Sequence, residues 1–315
     1  MSELKNQGQE QEIIVLDVGG SFIKRARFSA DNSADCSTDY RAACLVNRVL
    51  EAPLPIRESG SCEEILTALF ACVEQSLPAD CVCLSTPGPM DFTTATSHMK
   101  HKFKSLEGFS LKAALEERFA GIRFCFVHDG VAFLLGELQF GGHFGGQFSG
   151  CAAGMRLAGV MLGTGLGFAM SDGCRVLVNA SRTPAWPLWD TPYREGIAEN
   201  YVSGSALRTA YARAANRDID VQEIAERARA GDLIAAGVFT AMGEALGEML
   251  AEHVRKHDID AISLGGQISK SAPLFIGPVR SRLNIPVAPT SHPDDAALYG
   301  AYYFARHGES CLKQI

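Results

Sequence analysis

The stretch EIIVLDVGG, residues 12–20, decides how the rest of the chain is read. It is a continuous apolar run that ends in an acid and two glycines, which fits a strand buried on both faces. The segment RARFSA (25–30) follows closely enough to return as its neighbour. Working outward, similar runs recur: CVCLS (81–85), broken at Pro87-Gly88-Pro89, and IRFCFVHDG (122–130), ending in a second acid. LAGVMLGTGLGFAMSDG (157–173) reads as two strands around a glycine turn, and DAISLGG (260–266) closes on two more glycines.

Helical patterns lie between them. SCEEILTALFACVEQSL (61–77) places Ile65, Leu69, Cys72 and Val73 on one face with Ser61 as its cap. LKAALEERF (111–119), a short piece from Val131 to Leu138, SGSALRTAYARAA (203–215), VQEIAERARAG (221–231), AAGVFTAMGEALGEMLAEHVRKH (235–257) and DDAALYGAYYFARHG (294–308) complete the set. Strands alternating with helices make this an α/β chain. Residues 31–60, polar with Pro53 and Pro55, read as strand edges and loops, and the glycine-rich FGGHFGGQFSG (140–150) is the expected border region between lobes. At about 150 residues per domain the length suggests two. The expected units are 12–130, completed by the helix at 294–308, and 131–293.

Hydrophobic residues make up 47% of the 315 and charged residues 21%. That excludes a disordered chain, a collagen-like repeat and a small disulfide scaffold. A net charge of −7 shows no basic footprint for nucleic acid. MSELKNQGQEQE at the start lacks the apolar stretch of a secretory signal, and no run approaches the length of a membrane span. Cys81, Cys83 and Cys125 sit inside apolar runs, as free cysteines acting as small hydrophobes do. A reducing cytoplasm without membrane or nucleic-acid partners is the expected setting.

The chemistry concentrates where strands end: LDVGG at 16–20, VHDG at 127–130, LGTGLG at 162–167 and LGG at 264–266. In α/β folds ligands gather at the carboxyl ends of strands. Glycines there let backbone N–H groups approach phosphate oxygens. Two glycine turns suggest two phosphate-contacting loops, and Asp17 and Asp129 suggest a metal ion and a base. Each feature alone has a plainer reading, since a glycine turn also joins a hairpin and a strand-terminal aspartate also caps a helix. GTGLG fails the dinucleotide fingerprint because Phe168 takes the place of its third glycine, and no G-x-x-x-x-G-K-[ST] exists.

As an ordered set these segments resemble the ROK family (repressor, open reading frame, kinase) of the sugar kinase, actin and heat-shock chaperone superfamily. DVGGSFIK (17–24) is similar to that family's D-[IV]-G-G-[TS]-x-x-K phosphate loop, STPGPMD (85–91) to its S-x-P-G-P-V-D segment, and HDGVAFLLGE (128–137) to N-D-A-N-A-A-A-L-G-E. LGTGLG resembles the second phosphate loop, LGGQIS the adenosine loop and DDAALYGA the terminal helix, so the likeness runs from about residue 13 to 306. It implies a two-lobed, actin-like (ribonuclease H-like) α/β fold binding a nucleotide and a sugar. Asp129 would be the general base, and Asp17 would help hold Mg²⁺ through water. Gly19, Gly20, Ser21, Lys24, Gly163, Thr164, Gly165 and Gly167 would contact phosphates, and Gly265 and Gly266 would leave room for adenine. Gly88, Lys102, His128, Asp129 and Glu199 would face the sugar. Lys24 and Glu199 also have plain readings, as an exposed strand lysine and an acid near a helix start. Many members of the family are homodimers.

Three departures stand out. Where the family carries E-x-G-H, this chain has ASRTPAWPLWDTPYREG (180–196), and its zinc-binding cysteine cluster is absent, with Ile197 near the last cysteine's place. No structural zinc is expected; Trp186 and Trp189 are expected to stiffen the loop by core packing, with stacking on a sugar as the alternative. Lys102 stands where the family has a sugar-binding asparagine, and His128 replaces the asparagine before the base. Lysine only donates and brings charge, which suits an anionic substrate, although a solvated lysine is the plainer reading. His253 and His257, four apart at a helix end in HVRKH, are read as cations favoured by the helix dipole rather than metal ligands.

The expected activity is ATP-dependent phosphorylation of a hexose or hexose derivative, glucokinase-like. The alternatives are a non-catalytic sugar or nucleotide sensor of the same fold and a polyphosphate-using glucokinase, whose loops DVGGSFIK and GGQISK also resemble. The first loop begins at Asp17, leaving no room in this sequence for a DNA-reading module ahead of it.

Overall fold

Ile13, Ile14, Val15 and Leu16 are fully buried in the first strand, as a run apolar on both faces demands. The computed structural model describes residues 11–30, 47–141 and 155–315. In chain order these form β1 (Gln11–Val18), β2 (Phe22–Ala30), β3 (Asn47–Pro55), α1 (Cys62–Gln75), β4 (Cys81–Thr86), the short pair β5 (Met90–Asp91) and β6 (Thr96–Ser97), α2 (Leu111–Arg118), β7 (Arg123–His128) and α3 (Asp129–Phe140). There follow β8 (Leu157–Leu162), β9 (Leu166–Asp172), β10 (Arg175–Val178), β11 (Pro192–Tyr193), β12 (Gly196–Ile197), α4 (Gly204–Ala215), α5 (Val221–Arg229) and α6 (Leu233–His257). The chain ends with β13 (Ala261–Gly265), α7 (Ile276–Arg282), β14 (Val287–Pro289), α8 (Ala296–His307) and β15 (Leu312–Gln314).

Two compact units result. One comprises Met1–Phe140, Val178–Thr183 and Ala297–Ile315, the other Gly141–Leu177 and Pro184–Ala296. The expected border at residues 130–131 falls at the start of α3, which lies whole in the first unit because Val131 to Leu138 are buried there. Of the glycine-rich stretch expected to separate the lobes, residues 142–150 lie outside the described residues.

The first unit is built on a sheet ordered β3-β2-β1-β4-β7. β1, β4 and β7 run parallel, while β2 and β3 return antiparallel. α1 starts at a complete capping box, with Ser61 and Glu64 each satisfying the other's backbone N–H. Its Ile65, Leu69, Cys72 and Val73 face the sheet, as their spacing predicts. β3 was expected as edges and loops. It is a strand, but an edge one, largely exposed and carrying Pro53 and Pro55, where a missing N–H is tolerated. Its tie to β2 includes the Arg25–Glu51 ion pair at 3.1 Å, with Arg25 also donating to the Ala52 carbonyl and Ser76 Oγ.

In the second unit the sheet order is β14-β13-β8-β9-β10, with β8 and β13 parallel and β8 and β9 a hairpin. α6, at 25 residues, is long and apolar enough to cross a membrane. Yet Phe239, Met242, Leu246 and Leu250 bury its apolar side in the core of this unit together with Val160, Leu162 and Ile262. Cys81 and Cys83 are buried free thiols, as expected, whereas Cys174 is disulfide-bonded, unlike the reduced state anticipated throughout.

α8 closes the first unit. Its Tyr302 ring stacks on Phe28 at 4.5 Å, and Gly300 brings it so close to α3 that a Cβ would collide with the Ala132 carbonyl oxygen. Backbone cannot yield as a flexible side chain can. Gly300→Ala is therefore expected to destabilise the protein by about 1–3 kcal/mol, seen as a lower Tm in thermal unfolding; an unchanged Tm would refute this packing.

Candidate active site

The parallel register decides which groups meet in the first unit. Asp17 lies opposite Ser85, and Thr86 opposite His128, so β1, β4 and β7 finish together. Ser85 Oγ donates to Asp17 Oδ1 at 3.0 Å. Lys24, across the antiparallel pair from Asp17, lends it positive charge. Burial raises the Asp17 carboxyl above the usual range; Lys24 pulls it back, the Asp129 charge pushes it up again, and the Ser85 bond opposes.

Asp129 opens α3, where the helix N-terminus favours its charge. Its side chain is 36% exposed. Burial also opposes ionisation here, but the opposing causes win: His128 by charge and hydrogen bond, the Gly130 N–H at 2.7 Å, and Lys102. The carboxyl is held below its ordinary value. His128 Nδ1 lies 3.0 Å from Asp129 Oδ1, and its ring meets the Phe92 edge at 5.5 Å. Gly88 backs the same imidazole, since a Cβ there would stand 3.1 Å from Nε2.

In both glycine turns the first glycine donates its N–H forward within the turn, across three residues in one and two in the other. In the first, Gly19 N–H donates to Phe22 O at 3.0 Å, closing the turn. Gly20 and Ser21 N–H have no acceptor among the described residues. In the second, Gly163 N–H donates to Gly165 O at 3.1 Å, and the N–H groups of Thr164 and Gly165 are the ones left open among the described residues. Gly19 and Gly163, expected as phosphate donors, thus have their N–H groups engaged within the turns. Gly167 sits inside β9 opposite Met161, whose side chain fills the space a Cβ would need, so its glycine serves packing.

Residues 193–307 match the model of the ROK family. The ROK reading is borne out. No curated protein matches this chain by sequence. Among solved structures it is similar to a ROK family glucokinase from Streptomyces griseus in complex with glucose and AMPPNP, at 21% identity over 94% of this chain and 100% of that one, TM-score 0.71. It is also similar to an inorganic polyphosphate/ATP-glucomannokinase from Arthrobacter sp. strain KM, at 18% identity over 94% and 98%, TM-score 0.65. A ROK family transcriptional regulator, homolog of the E. coli MLC protein, matches at 14% over 94% and 78%, TM-score 0.74. These likenesses establish the two-lobed actin-like fold of ROK proteins.

The second unit brings its two glycine motifs together. β13 ends beside β8, with Gly265 opposite Met161, and Gly266 at φ +79° packs so tightly that a Cβ would strike the Leu162 carbonyl. Glu199, expected to face sugar hydroxyls, accepts the Leu166 N–H at 2.9 Å through Oε2 and braces the second turn; a Cβ on Gly165 would stand 2.5 Å from that oxygen. Trp186 packs on His257 at 4.4 Å, whereas Trp189, expected in the core, is 42% exposed. His253 and His257 stack on each other at 5.8 Å, and burial pushes both below the usual histidine range. They are aromatic packing, not the cations expected of that helix end.

Sequence reasoning passed over two groups near the first turn. Ser85 was quoted only as part of a motif. Glu58, which no pattern marks, reaches Gly20 with Oε2 and donates its N–H to the Gly20 carbonyl at 3.1 Å. Glu58 also lines a polar hollow of about 330 Å³ with Ser59, Gly60, His101, Lys104 and Ser105. Lys102 is half-buried beside it in sequence, next to Phe103, whose φ of 46° turns the chain sharply.

A carboxyl whose folded pKa is raised contributes stability that is fully present below its unfolded pKa and is lost as pH rises through the folded one. Once ionised, Asp17 therefore costs stability. Asp17→Asn is expected to stabilise the protein where the wild-type carboxyl is ionised, seen as a higher Tm at pH 7, with the gain fading toward pH 4. Calorimetry across that range checks it, and a lower Tm at pH 7 would contradict the electrostatics.

Proposed function

We propose that this chain is a sugar kinase, moving the γ-phosphoryl group of ATP to a hydroxyl of a hexose or hexose derivative. One observation carries the reading: in a single unit, an Asp129 carboxyl held below its ordinary value acts by charge on the half-buried Asp17, beside a turn whose Gly20 and Ser21 N–H groups are open among the described residues. A polyanion needs such donors, and an alcohol needs such a base.

The transfer balances as follows. The acceptor O–H bond breaks and its proton passes to the Asp129 carboxylate as the oxygen bonds to the γ-phosphorus. The bond from phosphorus to the β–γ bridging oxygen breaks, and its electron pair leaves with ADP. A carboxylate held below its usual pKa is a weak base, so alignment and charge neutralisation supply most of the rate. Asp17 fits a hydrated divalent ion, being a half-buried oxygen donor with a second carboxylate close enough to raise its pKa. Mg²⁺ held there would neutralise phosphate charge. In the second unit, Thr164 and Gly165 N–H offer the corresponding donors, and Gly265 and Gly266 mark the expected adenosine side.

Open backbone donors suit polyphosphate as well as ATP, and the similarity to a polyphosphate/ATP-glucomannokinase supports testing both donors. Lys102, acting on the Asp129 charge, supports including sugar acids among the acceptors.

Asp129→Asn is expected to lower kcat by about 10²–10⁴-fold while leaving nucleotide affinity unchanged by calorimetric titration. The assay is a panel of hexoses, amino sugars and sugar acids with Mg²⁺ and either donor. Sugar binding without turnover on any acceptor would sink the kinase reading in favour of a sensor.

A further inference from the structure

Three atoms at the end of β7 are mutually close. Gly130 N lies 2.7 Å from Asp129 Oδ1 and 3.0 Å from His128 Nδ1, and Nδ1 lies 3.0 Å from that same Oδ1. The Gly130 N–H belongs to the carboxylate, which offers the shorter and charge-assisted contact. Nδ1 then faces an anionic oxygen at hydrogen-bond distance. Two lone pairs would repel there, so Nδ1 carries the proton and donates it to Oδ1. With two donors on Oδ1, Oδ2 is the oxygen left open among the described residues.

We infer that His128 is a positioning residue for the base: it fixes the rotation of the Asp129 carboxylate so that Oδ2 receives the acceptor's proton. The imidazole is itself hemmed in, by the Phe92 ring and by the bare Gly88 backbone. This explains Gly88 without a sugar contact, since a side chain there would push the ring off the carboxylate. The groups acting by charge on Asp129 are His128 and Lys102, and Asp129 in turn acts on Asp17, which Lys24 faces. Against His128 itself stand Phe92, Gly88, Gly130 and the Asp129 carboxylate, of which only Asp129 titrates. The inference rests on Asp129 being the base.

The test uses the full chain with His128→Ala, His128→Asn and Asp129→Asn, each checked for an unchanged unfolding profile. His128→Ala is expected to lose about 10²-fold in kcat with little change in acceptor KM. Its acidic limb should move to higher pH, because His128 helps hold the Asp129 carboxyl down. His128→Asn keeps an amide donor and should recover most of kcat while the limb still moves. Wild-type kcat and limb in His128→Ala, alongside an inactive Asp129→Asn, would overturn the positioning role; a fully active Asp129→Asn would overturn the base assignment instead. Independently of turnover, ¹³C carboxyl titration, with Asp129→Asn identifying the resonance, should show the Asp129 midpoint rising in both His128 variants. An unmoved midpoint overturns the contact.

Discussion

Everything in the first unit depends on the register of three parallel strands. Asp17 stands opposite Ser85, Ser85 opposite Val127 and Thr86 opposite His128. That alignment ends β1, β4 and β7 within about one residue's rise of one another. β1 is held in it by its ladders to β2 on one side and β4 on the other. A slip by one residue would turn every side chain of β1 to the opposite face. Leu16 or Val18 would then stand where Asp17 meets Ser85, and the carboxylate would face the apolar core. The hydrophobic pairing that makes the sheet also brings the charges together.

The two aspartates so assembled are driven apart in character. Both lose solvation. Asp129 recovers more than it loses, from His128, the Gly130 N–H and Lys102, and it sits at a helix start. Asp17 has Lys24 and one hydroxyl, which do not make up for burial and the neighbouring negative charge. When two carboxylates interact, the one with better donors keeps its charge and raises the other. On the kinase reading proposed above, the proton-accepting role would go with Asp129, and Asp17 would be the carboxylate that gains from a cation nearby. Divergent environments of this kind are how one fold divides labour between acids.

Much of this was legible in the sequence because it depends on the backbone. A strand buried on both faces must be continuously apolar, and a turn that offers its N–H groups needs small residues, so DVGGSFIK and LGTGLG announce themselves. What stayed hidden was which N–H groups each turn uses internally. Gly19 and Gly163 close their turns, and that follows from hydrogen-bond geometry that composition does not encode. β3 was missed for a related reason. Its residues are polar and proline-bearing because they lie on an edge, so no alternation marks them, and Arg25 and Glu51 fasten it from 26 positions apart. Glu58 at Gly20 and Glu199 at Gly165 are likewise side chains folded back onto glycines from a distance.

The glycines themselves carry two different messages. Gly266 and Gly300 are bare because another part of the chain needs the volume, as the Leu162 and Ala132 carbonyls show. Gly163 is different: a Cβ there would meet nothing within 4 Å, and its backbone is not in the left-handed region. Neither packing nor conformation within the protein explains it. A glycine in open space, followed by two unused N–H donors at a strand end, is what backbone approach by an anionic ligand requires. That position therefore argues for the phosphate role more strongly than glycines with an internal explanation, although its own N–H is engaged. On the kinase reading, the clearance it leaves, and not the bond it makes, would be its contribution.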